Sequence, residues 1–133
     1  MKKLLFLILI LNCSISWADW ELAVMPSDKS FVGYIDKSTK RKNGDIVKMW
    51  TMKNYASIQT NSAGKKYSSV KVFYAFNCNA ETTKLISLIQ YSESMGSGDV
   101  VISLTPQEND LVWEPFPPGS IDEVHFKLSC GKK

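Results

Sequence analysis

The chain is poor in the residues from which most catalytic and metal centres are assembled. Its 133 residues include one histidine, His125, and three cysteines, Cys13, Cys78 and Cys130. No C-x-x-C pair occurs, and with a single histidine this removes the usual tetrahedral zinc sets. No G-x-S-x-G elbow, H-E-x-x-H pair or phosphate-cradling glycine loop is present. A catalytic His125 would need a nucleophile and an orienting acid beside it, yet it stands between core-like residues and reads as structural. Glu93 and Asp99 flank a Gly-Ser-Gly turn, where solvation of the turn explains them as well as chemistry does. The expectation is a protein that is not an enzyme, with no cofactor and no metal site.

A long hydrophobic run is missing as well. The one apolar stretch, Leu4 to Leu11, covers about eight residues, far short of the ~20 that a membrane-spanning helix needs. Preceded by Lys2 and Lys3 and followed by Ser16-Trp17-Ala18, it has the three parts of a secretory signal. Residues 1–18 are therefore expected to be removed between Ala18 and Asp19, leaving one domain, 19–133, without a transmembrane segment. Cys13 follows the apolar run as a lipid-bearing cysteine would, but Asn12 stands where such sites carry Gly, Ala or Ser. A lipid anchor at Cys13 is thereby disfavoured. The exported chain belongs in the periplasm or at the cell surface, on the outer membrane.

After processing, Cys78 and Cys130 remain. An even pair in an oxidising compartment reads as a disulfide. Closing a loop of about 50 residues contributes roughly 4 kcal/mol in the chain-entropy picture, large against the total stability of a small domain.

A strong excess of one charge is also lacking. The whole chain carries +3, and loss of Lys2 and Lys3 lowers this to +1, so no overall field calls for nucleic acid. The charges are unevenly placed, however. From Lys29 to Lys71 ten basic side chains face only Asp36 and Asp45, while from Val72 to Gly131 Lys84 and Lys127 face eight acids. Such asymmetry fits a basic surface for a partner, complementary edges that pair, or simply solvated strand faces.

What is present is period-two hydrophobicity. Trp20, Leu22 and Val24 open the mature chain as a strand, followed by Phe31 to Asp36 and Ile46 to Ala56. Between the last two, Lys37 to Asp45 reads as a basic loop, and its Asn43-Gly44 pair favours a tight primed turn. A polar connection, Asn61 to Lys66, precedes the clearest alternation in the chain, Val70, Val72, Tyr74, Phe76 and Cys78 on one face. Leu85 to Tyr91 is apolar on both faces, as in a central strand, and Gly96-Ser97-Gly98-Asp99 turns into Val100 to Leu104. This order predicts a meander of six antiparallel strands. The final stretch is open: Val124, Phe126, Leu128 and Cys130 alternate as in a strand, whereas Ser120-Ile121-Asp122-Glu123 is a capping box. As a helix it would stack Ile121, Val124 and Leu128 on one stripe and leave Glu123 and Lys127 to solvent.

Binding needs only a surface. The candidate partner-binding residues are Lys37, Lys40, Arg41 and Lys42 together with Lys65, Lys66 and Tyr67, provided the two connections share one end of the sheet. Polyanionic glycans, acidic protein segments or anionic headgroups suit such a patch. Trp50, Tyr55 and Trp113 are further candidate anchors, although aromatics of this kind more often belong to the core or a sheet face. Exposed sheet edges also leave room for a homodimer.

Tyr34-Ile35-Asp36, the basic loop, Asn43-Gly44, Val47-Lys48-Met49-Trp50 and Asn54-Tyr55 resemble the opening of the surface-adhesin protein E family of exported bacterial proteins. Asn77-Cys78, the segment from Tyr91-Ser92 to Gly98, Trp113, Pro118-Gly119-Ser120 and Cys130 continue the pattern in order. The resemblance implies a mainly β, α+β fold: a curved, half-barrel-like antiparallel sheet with a short C-terminal helix, Cys130 bonded to Cys78. It also implies a non-catalytic role in binding host extracellular-matrix proteins at the cell surface. The alternative is a soluble periplasmic accessory or inhibitor protein that binds a bacterial partner. Asn12 and the Phe76-Asn77 approach to Cys78 depart from the family pattern.

Overall fold

The structure, a computed structural model, describes residues 18–132; Cys13 and the expected leader, apart from Ala18, lie outside the described residues. Seven strands form one antiparallel sheet: β1 (Trp20–Val24), β2 (Phe31–Asn43), β3 (Ile46–Thr60), β4 (Lys66–Asn77), β5 (Thr82–Tyr91), β6 (Val100–Leu104) and β7 (Glu114–Pro115). The first six lie in chain order, while β7 pairs with the opening residues of β5. A single α-helix, α1 (Ile121–Cys130), follows.

The meander is as expected; the extent of its strands is not. Lys37 to Asn43, expected as a loop, continues β2. Pairing jumps from Asp36↔Trp50 to Arg41↔Lys48, so the segment from Lys37 to Lys40 stands opposite Met49 alone. Side chains take over the hydrogen bonds that this bulge removes from the ladder. The Asp36 carboxylate accepts from the Ser38 amide and hydroxyl, the Thr39 hydroxyl donates to the Asp36 carbonyl, and the Trp50 amide donates to Thr39 Oγ1. Polar residues that signalled a loop are those that let a strand absorb extra residues. The following turn is two residues long, but Gly44 and Asp45 are its centre, not Asn43 and Gly44; Gly44 supplies the positive φ of 59°.

Alternation sorts the strands onto two faces. Ile35, Thr51, Val72 and Leu88 stand opposite one another along one row, and Val47 faces Phe76 along another. These rows lie beneath α1, where Phe126 packs against Phe76 with ring centroids 6.5 Å apart and against Phe116 at 4.7 Å. Ile35, Val47, Met49, Ala75, Phe76 and Phe126 are essentially without solvent contact. Gly33 permits the close approach of the helix: a Cβ there would lie 2.6 Å from Val24 Cγ1 and 2.9 Å from Ile121 Cδ1.

The last segment is a helix because both its ends are capped. Ser120 Oγ accepts from the Glu123 amide, Glu123 accepts from the Gly119 amide, and Gly131 closes the helix in the left-handed region with φ 68°. Its buried face is not the expected one. His125, Phe126 and Ser129 point inward, whereas Leu128 is 42% exposed. The large Phe126 ring turns the helix on its axis, and Glu123 and Lys127 remain outside as an ion pair at 2.7 Å. Cys130 is bonded to Cys78, just past the end of β4, closing a sequence separation of 52.

Candidate partner-binding surface

The two basic connections occupy opposite ends of the sheet. The β2–β3 turn lies at one end of β3 and the Asn61–Lys65 turn at the other, 15 residues of strand apart, or roughly 45 Å. Lys65, Lys66 and Tyr67 are therefore not brought together with Lys40, Arg41 and Lys42. At their own end, the Asn61 carboxamide accepts from the Ala63 and Lys65 amides, while Tyr67 meets Tyr55 edge-on with centroids 5.8 Å apart. Burial beneath this pair raises the Tyr55 hydroxyl to about 12, so it stays a neutral donor. Lys37 is engaged by Glu21 across β1 and β2. Of the expected patch, Lys40, Arg41 and Lys42 stay together.

Register adds residues that sequence reading missed. Arg41 pairs with Lys48, Lys48 with Ala75, and Ala75 with Lys84, one unbroken row across four strands. By alternation this row lies on the face away from α1, alongside the Trp50–Phe73 stack at 5.1 Å. Arg41, Lys42, Lys48 and Lys84 line a groove of about 450 Å³, with Ala75 in its floor and Trp113 in its wall. The Lys84 ammonium lies 4.8 Å from the centre of the Trp113 ring. The ion pairs among the described residues hold Lys37, Lys127 and Lys132 and none of these four cations. The signal in the sequence was a lysine on each of two strands, but only the pairing register shows that they share a row.

His125 lies on the other side of the sheet, 3% exposed, with neither ring nitrogen hydrogen-bonded. Burial, with the Lys53 charge adding to it, lowers its pKa to about 4, so the ring is neutral at pH 7. Glu93 and Asp99 are exposed in the β5–β6 connection, where the Ser92 hydroxyl accepts from the Asp99 amide. Among the described residues no group of three or more His, Cys, Asp or Glu side chains converges as a metal site would require. No helix among them is long and apolar enough to cross a membrane.

An open antiparallel sheet with a disulfide-tied helix on one face, and cations around an aromatic on the other, defines the class as a small, mainly β domain. The chain belongs to the surface-adhesin protein E family, whose sequence model matches residues 20–131. Three solved structures of Haemophilus influenzae protein E share its fold. The selenomethionine form is 16% identical with a TM-score of 0.59, covering 86% of this chain and 88% of that one. A second structure is 16% identical with a TM-score of 0.55 over 84% and 93% of the two chains. A further crystal form is 14% identical with a TM-score of 0.57 over 84% and 95%. None of the curated proteins matches the sequence.

Proposed function

We propose that this protein is an exported, non-catalytic adhesin that engages host extracellular-matrix proteins from the bacterial surface through the basic end of the β2–β3 hairpin. The observation that carries this reading is the set Lys40, Arg41 and Lys42, three consecutive cations at the projecting end of β2 with no ion-pair partner among the described residues. Membership of a surface-adhesin family supports the class of activity, and the leader-like residues 1–18 support export. Acidic segments of a matrix protein would be drawn to this end by long-range attraction and held by contacts that weaken with salt. Immobilised matrix proteins titrated with the purified chain test the reading. Binding should fall as ionic strength rises and should be lost when Lys40, Arg41 and Lys42 are changed to Glu; binding that survives the reversal removes the patch.

Asn12 favours a second reading, a soluble periplasmic protein that uses the same surface on a bacterial partner. Antibody to the mature domain, applied to intact and permeabilised cells, separates the two. Signal on intact cells supports the adhesin, and signal only after permeabilisation supports the periplasmic role.

A further inference from the structure

We infer that the groove beside Trp113 binds a linear anionic polysaccharide, a chain bearing sulfate or uronic-acid groups. This rests on the binding-protein reading above and names the chemistry that its outer face would take. Like charges placed directly opposite one another on neighbouring strands destabilise a sheet, and acids in alternate positions would remove that cost. Instead Arg41 and Lys48 are paired directly, Lys84 continues the row past Ala75, and Lys42 adds to the same groove. No acid lines it; Glu108 lies in the adjoining depression, on the far side of Lys48 and Lys84. An anion bound from outside the chain would balance the row.

The shape of the groove selects among anions. Lys48 and Lys84 are two strand spacings apart, about 10 Å, close to the length of two linked pyranose rings. Charges repeated once per disaccharide would meet the two ammonium groups in turn. Between them the small Ala75, itself covered, keeps the base of the groove low, and the Trp113 indole offers a flat amphipathic wall for the C–H face of a sugar. An acidic peptide has less to gain. The strands of the floor, β3 and β4, are already paired on both sides, so a peptide laid in the groove finds no free backbone groups there. Arg41 Nη1 also donates to the Ser38 and Lys40 carbonyls, which fixes the guanidinium at the groove's margin.

Calorimetric titration of the chain with a heparin-derived octasaccharide tests the inference, with a polyglutamate peptide and phosphatidylglycerol vesicles as competing probes. The double substitution Lys48→Gln with Lys84→Gln should weaken octasaccharide binding by at least about tenfold, with the thermal midpoint unchanged or raised as the like-charge pairing is relieved. Lys65→Gln with Lys66→Gln, which removes the same charge at the opposite end of the sheet, should cost less than about twofold. Octasaccharide should also shift the tryptophan emission, and Trp113→Phe should abolish that shift. Equal losses from the two double variants, no measurable octasaccharide binding, or tighter binding of the peptide or the vesicles would each overturn the assignment. Matrix-protein binding measured on the same preparations keeps the two readings apart. A chain that binds matrix protein but not octasaccharide sinks the groove alone, and the reverse sinks the host-matrix reading alone.

Discussion

The two faces of the sheet are built from the same strands and obey different rules. Beneath α1, Ile35, Val47, Met49 and Phe76 are shut away from water, and the His125 ring on the helix above them is held neutral. On the other face, Arg41, Lys48 and Lys84 line up across the strands with Trp113 beside them. A one-residue step along any strand moves between these environments. Most of the apolar side chains closed to water thus fall in one set of positions, and the free cations in the set interleaved with it, where Met52 and Ala75 are also buried.

The contrast can be broken most severely at the link that holds the helix down. Cys78→Ser or Cys130→Ser should each cost about 4 kcal/mol for a loop of this length, and the double variant should be little worse than either. Denaturant titration of the three proteins reads this directly, and additive losses would mean that the two sulfurs act independently. His125 tests the covered face through pH. Its folded pKa lies below the unfolded value of 6.5, so its contribution is complete above about 6.5 and is lost as pH falls toward about 4. The loss amounts to about 3 kcal/mol, and His125→Leu should flatten the thermal midpoint across that window relative to the parent chain. Gly33→Ala would press a methyl group onto Val24 and Ile121 and should cost about 1–3 kcal/mol by chemical denaturation. The open face should answer differently. Reversing Lys40, Arg41 and Lys42 to Glu should move stability by less than about 0.5 kcal/mol while changing the salt dependence of binding. A large stability loss there would erase the distinction between the faces.

Alternation made much of this legible in advance. Val70, Val72, Tyr74 and Phe76 could be assigned to one face from their spacing, and the disulfide followed from two cysteines in a chain with an export-like leader. What escaped the sequence reading depends on geometry between segments. Lys37 to Lys40 looked like a loop because Ser38 and Thr39 are polar, yet these side chains rebuild the hydrogen bonds of a bulged strand. Leu128 looked buried, but the helix is oriented by what Phe126 must reach. Lys65 and Arg41 belong to the same basic half of the sequence and to opposite ends of the sheet, because each hairpin turn reverses the chain.

The position of α1 in the chain order has a consequence for folding. Every strand that contributes to the covered face is made before the helix that covers it. Until that helix is in place the sheet carries a bare apolar side, so the folding chain is most exposed to aggregation, and most in need of a chaperone, just before its last element docks.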